Sequence, residues 1–101
     1  MPITGNMLIG ASSVRGTLGT LRAIDAVTRA DLEPEFGLGG SAEVDRAASL
    51  AQAAFDTYRA TTPEARAAFL EAIAQNILDL GDELINRAHQ ESALPIARLQ
   101  G

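Results

Sequence analysis

The 101-residue chain contains no cysteine, no lysine and no tryptophan, and only one histidine. Without cysteine there is no thiolate nucleophile, disulfide framework, zinc ribbon or iron–sulfur cluster. One imidazole supplies no metal cluster, so no metal site is expected. All eight basic residues are arginine, which removes a P-loop lysine, a Schiff-base lysine and a lysine general base. Thirteen acidic residues leave a formal charge of −5. Five acids and no base lie between Asp31 and Asp45, a surface that repels nucleic-acid phosphates instead of collecting them. The first ten residues carry no basic side chain and no apolar run of signal-peptide length, and no segment is suited to span a membrane. The expectation is a cytoplasmic chain that engages neither nucleic acid nor bilayer.

What is present is mostly small. Of the 47% of residues that are apolar, 19 are alanine and 28 carry anything larger. The length allows one small domain at most. Ordering such a chain costs on the order of 100–200 kcal/mol, and alanine contacts return little of it. The composition reads as part of a larger core.

Seven of the nine glycines lie at or before Gly40, dividing a β-leaning front, residues 1–40, from an alanine-rich helical remainder, residues 41–101. In the front, Met7-Leu8-Ile9 reads as a strand entering a turn at Gly10-Ala11-Ser12-Ser13, and Thr20 to Asp25 as a second strand. The two make a short β-hairpin, which alone is marginal in water. Pro34 argues against a central strand over Asp31 to Phe36. Three helices follow. The first is expected over residues 42–58, with Ser41 as N-cap, Glu43 and Asp45 in the positive first turn, and Val44, Ala48, Ala51, Phe55 and Tyr58 at helical spacing. The second starts from Thr62 with Pro63 at its first position and carries Phe69, Leu70, Ile73, Ile77 and Leu80 until Gly81. Asp82 caps the third, which bears Leu84, Ile85 and Ala88 and stops before Pro95. Residues 94–101 then read as a loop entering another helix, so the expectation is a segment cut from a longer chain. The fold class expected for this chain alone is α+β.

Four groupings invite a functional reading. Gly37-Leu38-Gly39-Gly40-Ser41-Ala42 matches G-x-G-x-x-A running into a helix, the shape of a dinucleotide-binding turn. Glu43 and Asp45 would put negative charge where the pyrophosphate sits, and no buried strand precedes it. A connector with a capped helix start is the better reading. Asp31, Glu33 and Glu35 alternate as in a Ca²⁺ loop, but the twelfth place is Ala42 where a bidentate Glu is required, which leaves a solvated acidic loop. His89 with Glu91 and the serines at 12, 13, 41, 49 and 92 could be drawn as a catalytic triad, yet no serine lies in a G-x-S-x-G turn. Arg59, Arg66 and Glu71 read as ion pairing on a helix face.

The order of these elements resembles the amino-terminal end of the NAD(P)-dependent aldehyde dehydrogenases. Met7-Leu8-Ile9-Gly10 looks like that family's opening "I-x-G" strand, and Leu21 to Thr28 like its "V/I-N/D-P-A-T-G-E" strand and turn. Ser41 to Ala47 matches the start of its first helix, and Phe69 through Ile85 the helix pair after it. Asn6 to Gly10 and Glu91 to Leu99 are most similar to the branch acting on 2-oxoglutarate semialdehyde, or 2,5-dioxovalerate. Four positions depart from the pattern: Ala26 stands where the turn has Pro, Arg29 and Ala30 replace its Gly-Glu, and Ala93 replaces the Gly of Glu-Ser-Gly-Leu-Pro. Losing Pro or Gly at a turn costs rigidity or forces an unfavourable φ.

The resemblance implies that the complete enzyme is α/β with a Rossmann-type cofactor domain, binds NAD or NADP, and assembles as a homo-oligomer. It also implies a chemistry: a cysteine thiolate attacks the aldehyde, hydride passes to the cofactor, and a glutamate-activated water releases the acid. Those groups belong to regions beyond position 101, so no catalytic or cofactor-binding residue is assigned here and the chain alone is expected to be inactive. Its expected role is structural, with the remainder of a dehydrogenase, or a full-length subunit, as partner. The other reading is a stand-alone helical interaction module derived from a truncated dehydrogenase, docking through its alanine-rich faces.

Overall fold

Gly10 and Ala11 fold the start of the chain back on itself, and Gly10 takes the φ of +60° that a two-residue hairpin turn demands. In the computed structural model, which describes residues 2–101, this turn joins β1 (Met7–Ile9) to β2 (Ser12–Val14) in an antiparallel pair with Ile9 opposite Ser12. Ser12 and Ser13, expected in the turn, are therefore strand residues. The glycine keeps the turn to two residues, and pairing resumes at once.

The expected second strand shortens to β3 (Thr20–Leu21), which pairs with β4 (Phe36–Gly37) instead of with β1. Pro34, with a cis bond to Glu33, keeps residues 32–35 out of any strand, and β4 begins just past it. The backbone of Gly37 and Leu38 is held from both sides, since Gly37 N–H donates to Gly5 O at 3.1 Å and Leu38 N–H to Gly19 O at 2.9 Å. Gly16 makes this approach feasible: a Cβ there would lie 2.3 Å from the Leu38 carbonyl. Between β3 and β4 the chain runs out and back as an arm, closed by a bridge of Ile24 to Asp31 and by Leu32 N–H on Ala23 O at 2.8 Å. The front is thus two small ladders and an arm, where a single hairpin was expected.

Helix α1 (Ser41–Arg59) starts from Gly40, not Ser41. Glu43, three residues on, accepts the Gly40 N–H at 2.8 Å, so the carboxylate at the third helical position satisfies the entry donor and no Ser41 cap is needed. Helix α2 (Pro63–Asp79) begins as the sequence indicates, with Thr62 Oγ1 accepting from Ala65 N–H at 3.1 Å and Pro63 at the first position. Helix α3 (Gly81–Ser92) starts through Gly81 at φ +55° with no side-chain cap, which places Asp82 inside the first turn instead of at the cap. A fourth helix, α4 (Ile96–Gln100), follows Pro95 and packs on α3. The chain is α+β.

These elements lie side by side in a sheet-like layer with extents of 49 × 37 × 18 Å. Ile9, at the end of the strand β1 that contacts α1, is the one buried large hydrophobic among the described residues, at 6% exposure. A compact chain of this mass exposes about 5,500 Å², whereas this one exposes 7529 Å². Its radius of gyration is 17.0 Å, against about 13 Å for a globule of the same length. The expected outcome for the isolated chain is strong binding of a hydrophobic dye and a broad thermal transition. A sharp, cooperative melt with slowly exchanging amides would contradict it.

Candidate functional site

The glycine-rich approach to α1 is the first place where chemistry was conceivable. Residues 37–40 run into a helix N-terminus, but Glu43 Oε2 already accepts the Gly40 N–H. The bond to Gly40, reinforced by Glu43's own N–H, holds this carboxyl below its ordinary range. An internal anion sits where a phosphate would have to sit. The turn does not fit a dinucleotide.

The acidic stretch is not simply solvated. Arg22 reaches both Glu33 and Glu35, the latter at 3.2 Å, and Arg15 lies 3.9 Å from Glu35 while donating to its backbone carbonyl at 2.8 Å. The Glu33 and Glu35 hydrogen bonds raise the Arg22 pKa further. These exposed pairs hold the arm in shape and contribute little energy. Among the described residues no three His, Cys, Asp or Glu side chains gather as metal ligands.

His89 and Glu91 do not assemble a triad. His89 Nδ1 meets Leu94 O at 2.6 Å, Glu91 accepts from Arg87 Nε at 2.7 Å, and Ser92 Oγ donates to Ala88 O at 2.5 Å while accepting from Leu94 N–H. All three close the end of α3. Nor do Arg59, Arg66 and Glu71 form the expected group: Arg59 pairs with Asp56 at 3.2 Å and lies over the Phe55 ring, and Arg66 donates to Thr61 O at 2.5 Å.

What the structure does bring together is a junction at the C-terminal end of α3. Asp25 Oδ1 accepts the N–H groups of Val27 and Thr28, each at 2.9 Å, and the Thr28 bond then the Val27 bond lower its pKa. The same turn is pinned to the helix by Ala26 N–H donating to Gln90 O at 2.9 Å. One turn earlier on α3, Arg87 spans 54 residues to the Glu33 carbonyl and stacks on Phe36 at 5.9 Å. Its side chain is 12% exposed, and Nη2 is buried with no partner among the described residues. Arg87 escaped the sequence reading. Its i,i+4 spacing from Glu91 was visible, but its long reach was not.

Residues 15–101 match the aldehyde dehydrogenase family. The chain belongs to that family. It is 57% identical to alpha-ketoglutaric semialdehyde dehydrogenase 2 of Azospirillum brasilense over 102 aligned residues, which cover all of this chain and 19% of that protein. It is 40% identical over 100 residues to alpha-ketoglutaric semialdehyde dehydrogenase of Acinetobacter baylyi, covering 96% of this chain and 18% of that one. The chain spans about a fifth of the length of the curated relatives it matches. No solved structure matches it.

Against the family pattern three of the four departures acquire a physical meaning. Arg29 and Ala93, both standing where the pattern has glycine, are the two non-glycine residues with positive φ among the described residues, at 66° and 61°. The backbone keeps the glycine geometry and the side chains strain it. Ala26 is different. Its N–H makes the Gln90 bond that a proline cannot make, so the lost ring rigidity is offset by a tie to α3.

In a dehydrogenase carrying this segment, Ala93→Gly is expected to stabilise by about 0.5–1 kcal/mol, and Ala26→Pro to gain nothing because it removes the Gln90 bond. Chemical denaturation of the two variants checks both, and a destabilising Ala93→Gly would contradict the strain. The lowered Asp25 pKa also has a sign. Stability from this turn is present above the unfolded carboxyl's pKa and is lost as pH falls through the folded one. The carboxyl carbon of Asp25 should therefore titrate below the usual carboxylate range by NMR, and a midpoint at or above that range would contradict it.

Proposed function

We propose that this chain is the front segment of an NAD(P)-dependent aldehyde dehydrogenase that oxidises 2-oxoglutarate semialdehyde to 2-oxoglutarate, and that its own part is structural. One observation carries the reading: essentially the whole chain aligns, at 57% and 40% identity, with about a fifth of two alpha-ketoglutaric semialdehyde dehydrogenases. The substrate follows from the names of those two proteins. The chain's own residues support a scaffold role, since the nucleophile class is missing outright and the one glycine-rich helix entry is filled by Glu43. No step of the oxidation is assigned to any of them.

The geometry favours an integral segment over a reversible module. The exposed area exceeds that of a compact chain by roughly 2,000 Å², whereas one side of a standard protein interface covers about 800 Å². A surplus of that size is characteristic of a piece of core.

The test has two arms. The purified 101-residue chain should form no NAD(P)H with 2-oxoglutarate semialdehyde. Spliced in place of the matching fifth of the Azospirillum dehydrogenase, it should support that oxidation to within about tenfold of the parent. Turnover by the chain alone, or an assembled but inert splice, would sink the proposal.

A further inference from the structure

Near the end of α1, the Tyr58 ring stands edge to face with the Phe69 ring of α2, with centroids 5.9 Å apart. Phe55 lies one turn behind Tyr58 on α1, and Ile73 and Ile77 continue from Phe69 at steps of four on α2. The result is an unbroken apolar ribbon of five side chains across two helices, each between 41% and 55% exposed. Ile73 and Ile77 also line an open groove with Leu80 at the far end of α2, where Asn76 and Asp79 form its polar edge. At 100° per residue, Glu71 and Gln75 fall on the opposite side of α2 from Ile73, and Gln75 bonds to Asp79 there at 2.8 Å. Glu71 thus lies away from the line of Ile73 and Ile77.

Building on the proposed function, we infer that this ribbon is the docking surface for the four-fifths of an aldehyde dehydrogenase polypeptide that the chain does not span. Three observations identify that occupant. The layer is 18 Å thick, too thin to hide the ribbon within itself. The surplus surface exceeds what a small ligand or a transient partner would cover. Finally, the relatives align with 100% and 96% of this chain and carry about four times as much polypeptide again, so the counterpart of the ribbon has that remainder to pack against.

The absence of cysteine from the chain makes the ribbon directly measurable. Ile73→Cys, Ile77→Cys and Glu71→Cys all fall on one tryptic peptide, between Arg66 and Arg87, and thiol labelling of that peptide can be followed by mass spectrometry. In the splice with the Azospirillum dehydrogenase, the cysteines at 73 and 77 should label at least tenfold more slowly than the one at 71. In the free 101-residue chain all three should label within about threefold of one another. Equal labelling at the three positions of an assembled splice would overturn the inference. Should the splice fail to assemble, the separate chain is to be co-expressed with the Azospirillum polypeptide lacking its matching fifth. Stoichiometric co-purification, weakened by Ile73→Asp and unaffected by Glu71→Ala, supports docking, and no co-purification overturns it. Labelling and activity come apart cleanly. Protected cysteines in an inert splice would uphold the docking surface while removing the proposed oxidation.

Discussion

A layer 18 Å thick is little more than one helix with its side chains, about 10–12 Å, plus the edges of its neighbours. Domains are built from at least two packed layers around a shared interior, and here the second layer is missing. The rest of the structure follows from that constraint. Ile9 is the one buried large hydrophobic among the described residues, the apolar stripes of α1 and α2 face outward, and the elements are held chiefly through local turns, caps and short ladders. The alanine content fits the same picture, because small side chains suit close packing against a neighbour and contribute little to a self-sufficient core.

Within the layer, the most connected point is the end of α3. Arg87 ties the helix to the arm's return strand through the Glu33 carbonyl and the Phe36 ring, and Gln90 holds the turn at Ala26 from the other side. Neither contact involves a reacting group. Both fix the orientation of a helix relative to a β arm, which is what a scaffold must do if later elements are to be positioned by it.

The departures from the family pattern show how a backbone outlives its preferred residues. Arg29 and Ala93 retain a left-handed φ although each carries a Cβ that disfavours it. A hydrogen bond from each residue's own N–H holds the geometry: Arg29 N–H to Asp25 O and Ala93 N–H to His89 O, at 2.9 and 2.8 Å. At Ala26 the substitution releases a donor, and the neighbouring helix carbonyl takes it up.

Local signals were legible where the cause is local. Thr62 with Pro63 marks the start of α2 because cap and proline act within one turn, Pro95 limits α3 for the same reason, and the lack of cysteine and lysine excluded whole chemistries without reference to any fold. The cap of α1 was misplaced by one residue because Glu43 and Ser41 both offer acceptors, and only the path of Gly40 decides between them. The pairing of Thr20–Leu21 with Phe36–Gly37, and the reach of Arg87 across the arm, were invisible for a different reason. Each joins residues far apart in sequence, two-residue ladders carry no periodicity to read, and an arginine's partners depend on where the backbone carries them. The family and the order of the helices therefore belong to the sequence by itself. Which strands pair, which side chain clamps the arm, and which helix faces stand open for a partner were decided by the tertiary structure, because each depends on contacts between segments that no local pattern encodes.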